Sequence, residues 1–422
     1  MTQRRANETG SDRGGRAGMD RREFLGGSLA AAATASLLGA PLSLAKETAG
    51  KAEIKRKVKL GIVGCGGRGS WIANLFQKHG GYQMHAVADY FQGTAAGRGK
   101  ALGVDKARCF GGLGGYKKLI DSGVEAVVII DVPYFYAEQA KVAVDADCHV
   151  YMAKPVAVDV PGCLAIEAAG KQATKKKRCF LVDYQLPTEP ANIEVAKRVR
   201  DGAIGPLAHI ASFGLSGAWG DPPKAKTIEG RLRGGVWLSD TALGGDTIVS
   251  YDIHIIDGVT WVMGRRPVSA CGRSRTCRPK PNGDRTDCCT AVFEYDDGLL
   301  WTHVTHAINN NCDIATLTAS LFGLSATAHV GYGGKVYVRG GKKHYVGNIG
   351  SIYDQGAIKN IADFHRNITE GHFENPTVQR AVDGTLTAIL GREAAARRCF
   401  LTMDDLIKEN KALKVDLTGL KA

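Results

Sequence analysis

From Lys57 onward, apolar runs of four to six residues alternate with stretches whose apolar positions recur at helical spacing. That alternation predicts a parallel sheet joined by crossover helices. Strands are expected at Val58 to Val63, Gln83 to Ala88, Ala126 to Ile130, His149 to Met152 and Cys179 to Val182. After Pro206 the rhythm changes to β-like runs at Leu207 to Phe213, Thr290 to Tyr295, Leu299 to Thr305, Ala315 to Leu321 and Lys335 to Val338, with a turn at Asp297-Gly298 between two of them. Between the blocks lies SYDIHIID, Ser250 to Asp257. At about 100° per residue, a helix there puts Asp246, Ser250, His254, Asp257 and Trp261 in one stripe and Ile248, Val249, Ile253, Ile255, Ile256, Val259 and Met263 on the other half. On this segment alone, a polar side floating in water explains the pattern as well as a functional face does.

The first strand runs into GCGGRG, where Gly64, Gly66 and Gly69 form G-x-G-x-x-G, and SWIANLFQKHG continues as a helix. Between strand and helix, glycines let a pyrophosphate approach backbone N–H groups at the helix N-terminus. Gly64, Gly66, Gly67, Arg68 and Gly69 are therefore candidate phosphate-binding residues. Asp89 closes the next strand, twenty residues beyond Gly69, where an acid accepts the adenosine-ribose hydroxyls. Its charge repels a 2′-phosphate, so NAD is expected in preference to NADP. The plain alternative is a glycine-rich turn beside an ordinary strand-ending Asp. In open parallel sheets, ligands gather outside the carboxyl ends of the strands. Asp131-Val132-Pro133 follows one strand and Ala153-Lys154-Pro155 another, which adds Pro133 and Lys154 to that edge; for Lys154 the competing reading is an exposed structural lysine.

Composition changes this picture little. The 422 residues are 44% hydrophobic and 23% charged, ordinary for a globular chain long enough for two cores, and 54 glycines exceed the usual share of about 7%. The net charge is +13; six Arg against four Asp or Glu in Met1 to Ala45 account for +2, leaving +11. The basic residues are scattered, and the dense run KKKR at Lys175 to Arg178 ends an Ala-rich helical pattern where cations suit the helix C-terminus. No nucleic-acid partner is expected; an anionic small substrate fits the charge better.

The N-terminus reads as an address. DRREFL, Asp20 to Leu25, is followed by a weakly apolar Ala/Gly-rich stretch and by SLA, Ser43 to Ala45, a small-residue cleavage site. This resembles a twin-arginine export signal at 1–45, with a linker at 46–56, and places the mature chain in the periplasm after passage through the twin-arginine machinery. An uncleaved leader would instead anchor it, since the 22 residues from Phe24 to Ala45 reach the spanning length of about 20. Export permits disulfides, and eleven cysteines leave at least one unpaired. A bridge from Cys277 to Cys288 or Cys289 stays open, and no C-x-x-C pairing supports a metal site.

GIVGCGGRGS, AVADY, VPYFYAEQA, HVYMAKPVAV and GGDTIVSYDIHIID together resemble the glucose-fructose oxidoreductase/inositol dehydrogenase/MocA family, from about Lys57 to the end of the chain. The resemblance implies an α/β fold with an N-terminal Rossmann NAD(P) domain, here 57–185. It implies an α+β domain with an open, mostly antiparallel sheet at 186–422, through which the chain assembles as a homo-oligomer. It also implies that Lys154 lies beside the nicotinamide and that His254 is the catalytic histidine. The chain departs from the family in places. Ala153 stands where an acid is common, Ser250 where an Asp usually precedes the histidine by four residues, Tyr136 where a histidine is frequent, and Leu186 and Pro187 where arginines are common. Ser250 offers a hydrogen bond to His254 but no carboxylate, so Asp246 or Asp257 is expected to stand in.

Oxidising a carbinol needs a hydride acceptor near the carbon and a base within about 2.6 to 3.2 Å of its hydroxyl. His254 is expected to exchange the hydroxyl proton while Lys154 orients the oxygen and stabilises developing charge, with the reverse assignment open. Arg231, Arg233 and Trp237 in RLRGGVWLSD, together with Gln185, are candidates for holding a sugar or polyol substrate. An exported enzyme has little free nicotinamide to exchange, so its cofactor is expected to be tightly held and recycled in the site. Two reactions satisfy that logic, paired oxidation and reduction of two sugars or a transient oxidation of one sugar that assists elimination, hydrolysis or epimerisation before the hydride returns. A non-catalytic sugar- or nucleotide-binding protein is the reading from a different class.

Overall fold

The computed structural model describes Ile54 and residues 56–223, 225–308, 316–350 and 352–422; the leader at 1–45 and most of the linker at 46–56 lie outside the described residues. Six parallel strands form the first sheet: β1 (Val58–Val63), β2 (Tyr82–Ala88), β3 (Cys109–Phe110), β4 (Ala126–Ile129), β5 (His149–Ala153) and β6 (Phe180–Asp183), in the spatial order β3-β2-β1-β4-β5-β6. Helices α1 (Gly67–His79), α2 (Gln92–Leu102), α3 (Gly115–Asp121), α4 (Tyr136–Asp145) and α5 (Val160–Lys175) make the crossovers. β4 and β5 are buried along their whole length, as strands covered on both faces must be. The register pairs Val63 with Ala88 and Ile129, Ile129 with Met152, and Ala153 with Asp183. The strands therefore end in line, and Gly64, Asp89, Asp131 and Lys154 gather at one edge, around the switch point between β1 and β4. The five strands expected here match within a residue at each end; β3 escapes because two residues carry no periodicity.

After α6 (Pro190–Arg200) the chain builds a nine-stranded sheet from β7 (Leu207–Ser216), β8 (Ser269–Arg275), β9 (Cys288–Glu294), β10 (Leu300–Ala307), β11 (Thr316–Gly323), β12 (Thr327–Gly331), β13 (Gly334–Arg339), β14 (Tyr345–Ile349) and β15 (Leu401–Thr402), ordered β14-β13-β12-β11-β7-β10-β9-β8-β15. Only β7 and β10 run parallel. β8 and β14, SACGRSR and YVGNI, lack the apolar alternation that marks a strand in sequence, and they pair because their neighbours offer an edge. Along β10, Trp301, His303, Thr305 and Ala307 turn inward while Leu300, Thr302, Val304 and His306 turn out. The inner face packs on α7 (Ile253–Met263) and on α9 (Pro376–Arg397). Helices α8 (Ile352–Glu370) and α9 then return to the first sheet, where Phe364 meets Phe76 and Tyr151 edge-on and Tyr82 donates to the Ile361 carbonyl at 2.7 Å. Cys277 and Cys288 place their sulfurs 3.7 Å apart as free thiols, and Cys289 is buried on the opposite face, so neither expected bridge is formed.

The single helix expected across Asp246 to Met263 is broken. One turn at Thr247–Ser250 ends at Tyr251, and α7 starts afresh at Ile253. No polar side floats in water either, since Asp246, Ser250, His254 and Asp257 are each at most 8% exposed. The segment is pressed between the second sheet, α6 and α9, and each polar side chain meets a partner within the protein instead of solvent.

The break turns Asp252 into the sheet. Trp301 Nε1 donates to Ser212 Oγ at 2.7 Å, Ser212 Oγ lies 2.7 Å from His303 Nδ1, and His303 Nε2 lies 2.9 Å from Asp252 Oδ2, which also accepts from Thr305. With Ser212 donating onward to Nδ1, every donor in this fully buried chain points toward the carboxylate. A Cβ on Gly214 of β7 would stand 2.0 Å from Asp252 Oδ1. Gly214→Ala should therefore displace a buried carboxylate from its partners and cost about 3 kcal/mol in urea unfolding, whereas Gly217→Ala, with open space around its Cβ, should stay within about 0.5 kcal/mol. Equal effects would refute the packing argument.

Candidate functional site

The glycines of the first turn do different work. Gly64 has φ of +88°, and a Cβ there would fall 2.0 Å from the Ile130 carbonyl oxygen; a Cβ on Gly69 would fall 1.9 Å from the Gly64 carbonyl oxygen. Both positions are closed by backbone. At Gly66 and Gly67, by contrast, a Cβ meets nothing within 4 Å. That open side faces a cavity of about 790 Å³, lined by the whole glycine turn with Asp89, Pro133, Lys154 and Trp237. Gly66 caps α1 without a side chain, and no acid stands in the first turn, so the helix N–H groups and the positive end of the helix dipole are left for an anion. A phosphate group fits this cradle: backbone approaches without obstruction where Gly66 lies, and close packing fixes the turn on either side.

Asp89 is held by its own neighbours, Oδ2 accepting from the Cys65 N–H and Oδ1 from the Phe91 N–H, each at 2.9 Å. Burial lifts its pKa while those two bonds oppose the shift. A second carboxylate in the cavity was not singled out from the sequence. Asp131 accepts from the Val132 N–H at 2.8 Å and from Gln139 Nε2 at 2.7 Å, and burial pushes it up to about 6. Its position directly after a strand was the available signal. Tyr136, at the start of α4, lines the same cavity. Arg68 leaves the glycine turn and crosses to Asp183 at the end of β6, Nη2 to Oδ2 at 2.9 Å, stacked on Trp71.

At the other end, Lys154 Nζ donates to the Ser250 carbonyl at 2.6 Å, one turn before His254. The amine is half-buried against the cavity, and desolvation, reinforced by the Arg68 charge, brings its pKa down to about 7. His254 lies behind it, 4% exposed, with Nδ1 2.8 Å from the Tyr332 hydroxyl and Tyr353 edge-on to its ring. Burial, then the Lys154 and Arg68 charges, hold the imidazole well below its ordinary range and therefore neutral. With the Tyr332 hydroxyl assigned as donor to Nδ1, the ring hydrogen of the neutral imidazole stands on Nε2. Tyr332 and Tyr353 come from glycine-rich and helix-start segments that carry no signature of a site.

The acids expected to compensate for Ser250 do not do so. Ser250 Oγ donates to the Asp246 carbonyl rather than to His254. The Asp246 carboxylate is taken up by the Thr247 N–H and by the N–H and hydroxyl of Thr286, and Asp257 is paired with Arg380 at 2.9 Å and pushed up to about 6 by burial. The broken helix separates all three side chains from the imidazole. The carboxylates whose charges reach Lys154 are Asp183, at the end of β6 and already paired with Arg68, and then Asp252, on the side of the break that faces the sheet. Among the other candidates, Arg231 is committed to Asp240, with Nε 2.7 Å from Oδ2, and Arg233 lies exposed over the Phe91 ring. Gln185 is fully buried, with α8 packed closely enough that a Cβ on Gly356 would touch it. Among the described residues no cluster of three or more His, Cys, Asp or Glu side chains is arranged to hold a metal ion.

Comparison with known proteins adds a family resemblance to this geometry. Residues 193–324 match the model of the GFO/IDH/MocA C-terminal domain. An uncharacterized oxidoreductase of Synechocystis sp. is 24% identical over 283 residues, covering 67% of this chain and 69% of its own. Among solved structures, an aldose-aldose oxidoreductase from Caulobacter crescentus complexed with glycerol superposes with a TM-score of 0.66 at 20% identity, covering 82% of this chain and 100% of that one. A scyllo-inositol dehydrogenase from Lactobacillus casei with bound NAD(H) and scyllo-inositol does so with a TM-score of 0.64 at 18% identity, covering 83% and 100%. The chain thus shares its fold, a Rossmann-like parallel sheet joined to a mostly antiparallel one, with sugar and inositol dehydrogenases, and its residues 193–324 carry the sequence pattern of the GFO/IDH/MocA C-terminal domain.

Proposed function

We propose that the chain is an NAD-dependent oxidoreductase that acts on a secondary alcohol of a sugar or polyol and keeps its cofactor for repeated use. The observation that carries this reading is the half-buried Lys154 amine, titrating near 7 at one end of a cavity whose other end is the glycine turn and Asp89. Gly66, Gly67 and the start of α1 would hold the pyrophosphate, Asp89 the adenosine ribose, and Pro133 and Lys154 would flank the nicotinamide. Asp89 supports NAD over NADP. The relatives bearing a nicotinamide or polyol in their structures support the same chemistry.

The nicotinamide, when bound, supplies the hydride acceptor. Lys154 is the better proton acceptor for the carbinol hydroxyl, because its amine is neutral above about pH 7 and still basic enough to take the proton. His254, neutral and polarised by Tyr332, offers Nε2–H to the same oxygen and stabilises alkoxide charge as the proton leaves. These roles reverse the first expectation from the sequence. Trp237, in the cavity lining, gives an aromatic face on which a sugar ring stacks. The export leader belongs to this proposal, since periplasmic work favours a retained cofactor, and so does a homo-oligomer covering the open sheet face where Phe213, Leu300 and Phe322 remain exposed.

Three measurements test the reading. Titration with NADH fluorescence should show binding that Gly66→Ala weakens about tenfold or more, a loss of about 1.4 kcal/mol, without lowering the unfolding midpoint. Gly64→Ala should instead destabilise the fold, and unaltered binding in Gly66→Ala would remove the cradle. In the oxidative direction kcat/KM should rise with pH through about 7, as Lys154 deprotonates, and Lys154→Met should abolish turnover; a falling profile would return the base role to another group. Finally, the folded pKa of Lys154 lies below its ordinary 10.5, so below that value the unfolded chain binds a proton the folded one resists. The penalty is complete below pH 7 and fades toward pH 10.5. Lys154→Met should therefore be more stable than the parent at pH 6, by on the order of 1–2 kcal/mol after screening by cavity water, with the gap narrowing at pH 9.

A further inference from the structure

Residues 410–422 contain neither helix nor strand, only one turn, yet they keep a strict pattern: Leu413, Val415 and Leu417 are half-buried while Lys414, Asp416 and Thr418 are exposed. Period-two burial marks an extended segment with one covered face. What covers it is the ligand edge of the first sheet. The Leu413 N–H donates to Asp159 Oδ2 at 2.8 Å, the Val415 N–H to the Tyr134 hydroxyl at 3.4 Å and the Lys421 N–H to the Tyr90 hydroxyl at 3.2 Å, while the Lys421 carbonyl accepts from the Leu113 N–H at 2.9 Å. The anchors stand on the segments following β2, β3, β4 and β5, the same loops that form the cavity rim.

The side chains join an apolar cluster separate from the main core. Val415, Leu417 and Leu420 pack with Tyr90, Phe91 and Tyr134 of the first sheet's loops and, from beyond β7, with Leu232 and Trp237. Leu417 faces the cavity itself, in the lining that also contains Asp89, Tyr90 and Gly112. A segment that merely docked on the surface would have no reason to span four successive loops at a binding edge.

We infer that residues 411–422 are a strap closing the adenosine end of the dinucleotide cleft, with Leu417, Tyr90 and Phe91 enclosing the adenine, so that cofactor enters and leaves when the strap lifts. The inference rests on the dinucleotide reading above and gives cofactor retention a physical basis. The strap is built to open without unfolding the sheet: its side chains are half-buried, its tethers are few, and two of them end on tyrosine hydroxyls. A gate also differs kinetically from a wall. Removing a wall contact speeds release alone, whereas removing a gate speeds entry and release together.

The test compares stopped-flow NADH association and dissociation for the full chain, a chain ending at Asn410, and a full-length Tyr90→Phe/Tyr134→Phe double variant that keeps both rings but loses two tethers. Expected are unfolding midpoints without cofactor close to the parent's, a dissociation rate at least tenfold higher in the truncated chain and raised in the double variant, and an association rate that rises with it. Amides of Leu413, Val415 and Lys421 should gain protection from hydrogen exchange when NADH is added to the full chain. If the shortened chain fails to fold, the double variant and the exchange measurement decide. Variants that bind NADH and release it at the parent's rate, or that change release while entry stays fixed, overturn the strap alone. A full chain that binds no NADH overturns the dinucleotide reading, and the strap's role with it.

Discussion

The bond from Lys154 Nζ to the carbonyl of Ser250, at 2.6 Å, is the contact on which the site depends. It joins the end of β5 to the broken helix in front of α7, and therefore the two sheets, at the place where the cavity ends. A carbonyl is free there because the helix stops at Tyr251, and an amine reaches it because β5 ends in register with β4 and β6. Desolvation at that point makes the amine a group that titrates near neutrality instead of a surface cation. The same crowding keeps His254 neutral, so two bases at close quarters do not both carry charge.

Glycine content above the usual level has a local explanation wherever backbone must meet backbone or carboxylate, and two such places bear on the site. At Gly64 and Gly69 the turn closes against β4 and against itself, which leaves Gly66 and Gly67 as the approach from the cavity. At Gly214 the strand makes room for Asp252, whose pKa burial raises while its bonds to His303 and Thr305 oppose the shift, and whose charge lies within reach of Lys154. With serine at position 250, the Lys154 amine is met instead by the charges of Asp183 and of Asp252, which lies two residues later and is turned toward the sheet. The buried donors behind that acid make it rigid, and rigidity is what a fixed charge near a titrating amine needs.

The proposed retention of a cofactor rests on geometry at both ends of the cavity. One end is closed by Lys154 and the broken helix; the other, by the glycine turn and Asp89, is covered by a thin, weakly tethered segment. Stability is spent where the chemistry must be exact in position, and mobility is kept where a ligand must pass.

The amino-acid sequence by itself determined five of the six strands of the first sheet to within a residue at each end, and the glycine turn, Asp89 and Lys154 at its carboxyl edge, because a parallel sheet covered on both faces leaves continuous apolar runs and a glycine turn has few substitutes. It also determined that Lys154 and the segment around His254 deserve comparison. Tertiary structure alone decided the rest. Which acid serves the site could not be read from i and i+4 spacing, since the helix that spacing assumes is broken between Ser250 and Ile253. Arg231 and Gln185 looked available until Asp240 and α8 claimed them. Tyr332, Tyr353 and the strap at 411–422 reach the site from more than 70 positions away in the chain, and contacts of that kind are set by how sheets and helices pack, which no local periodicity records.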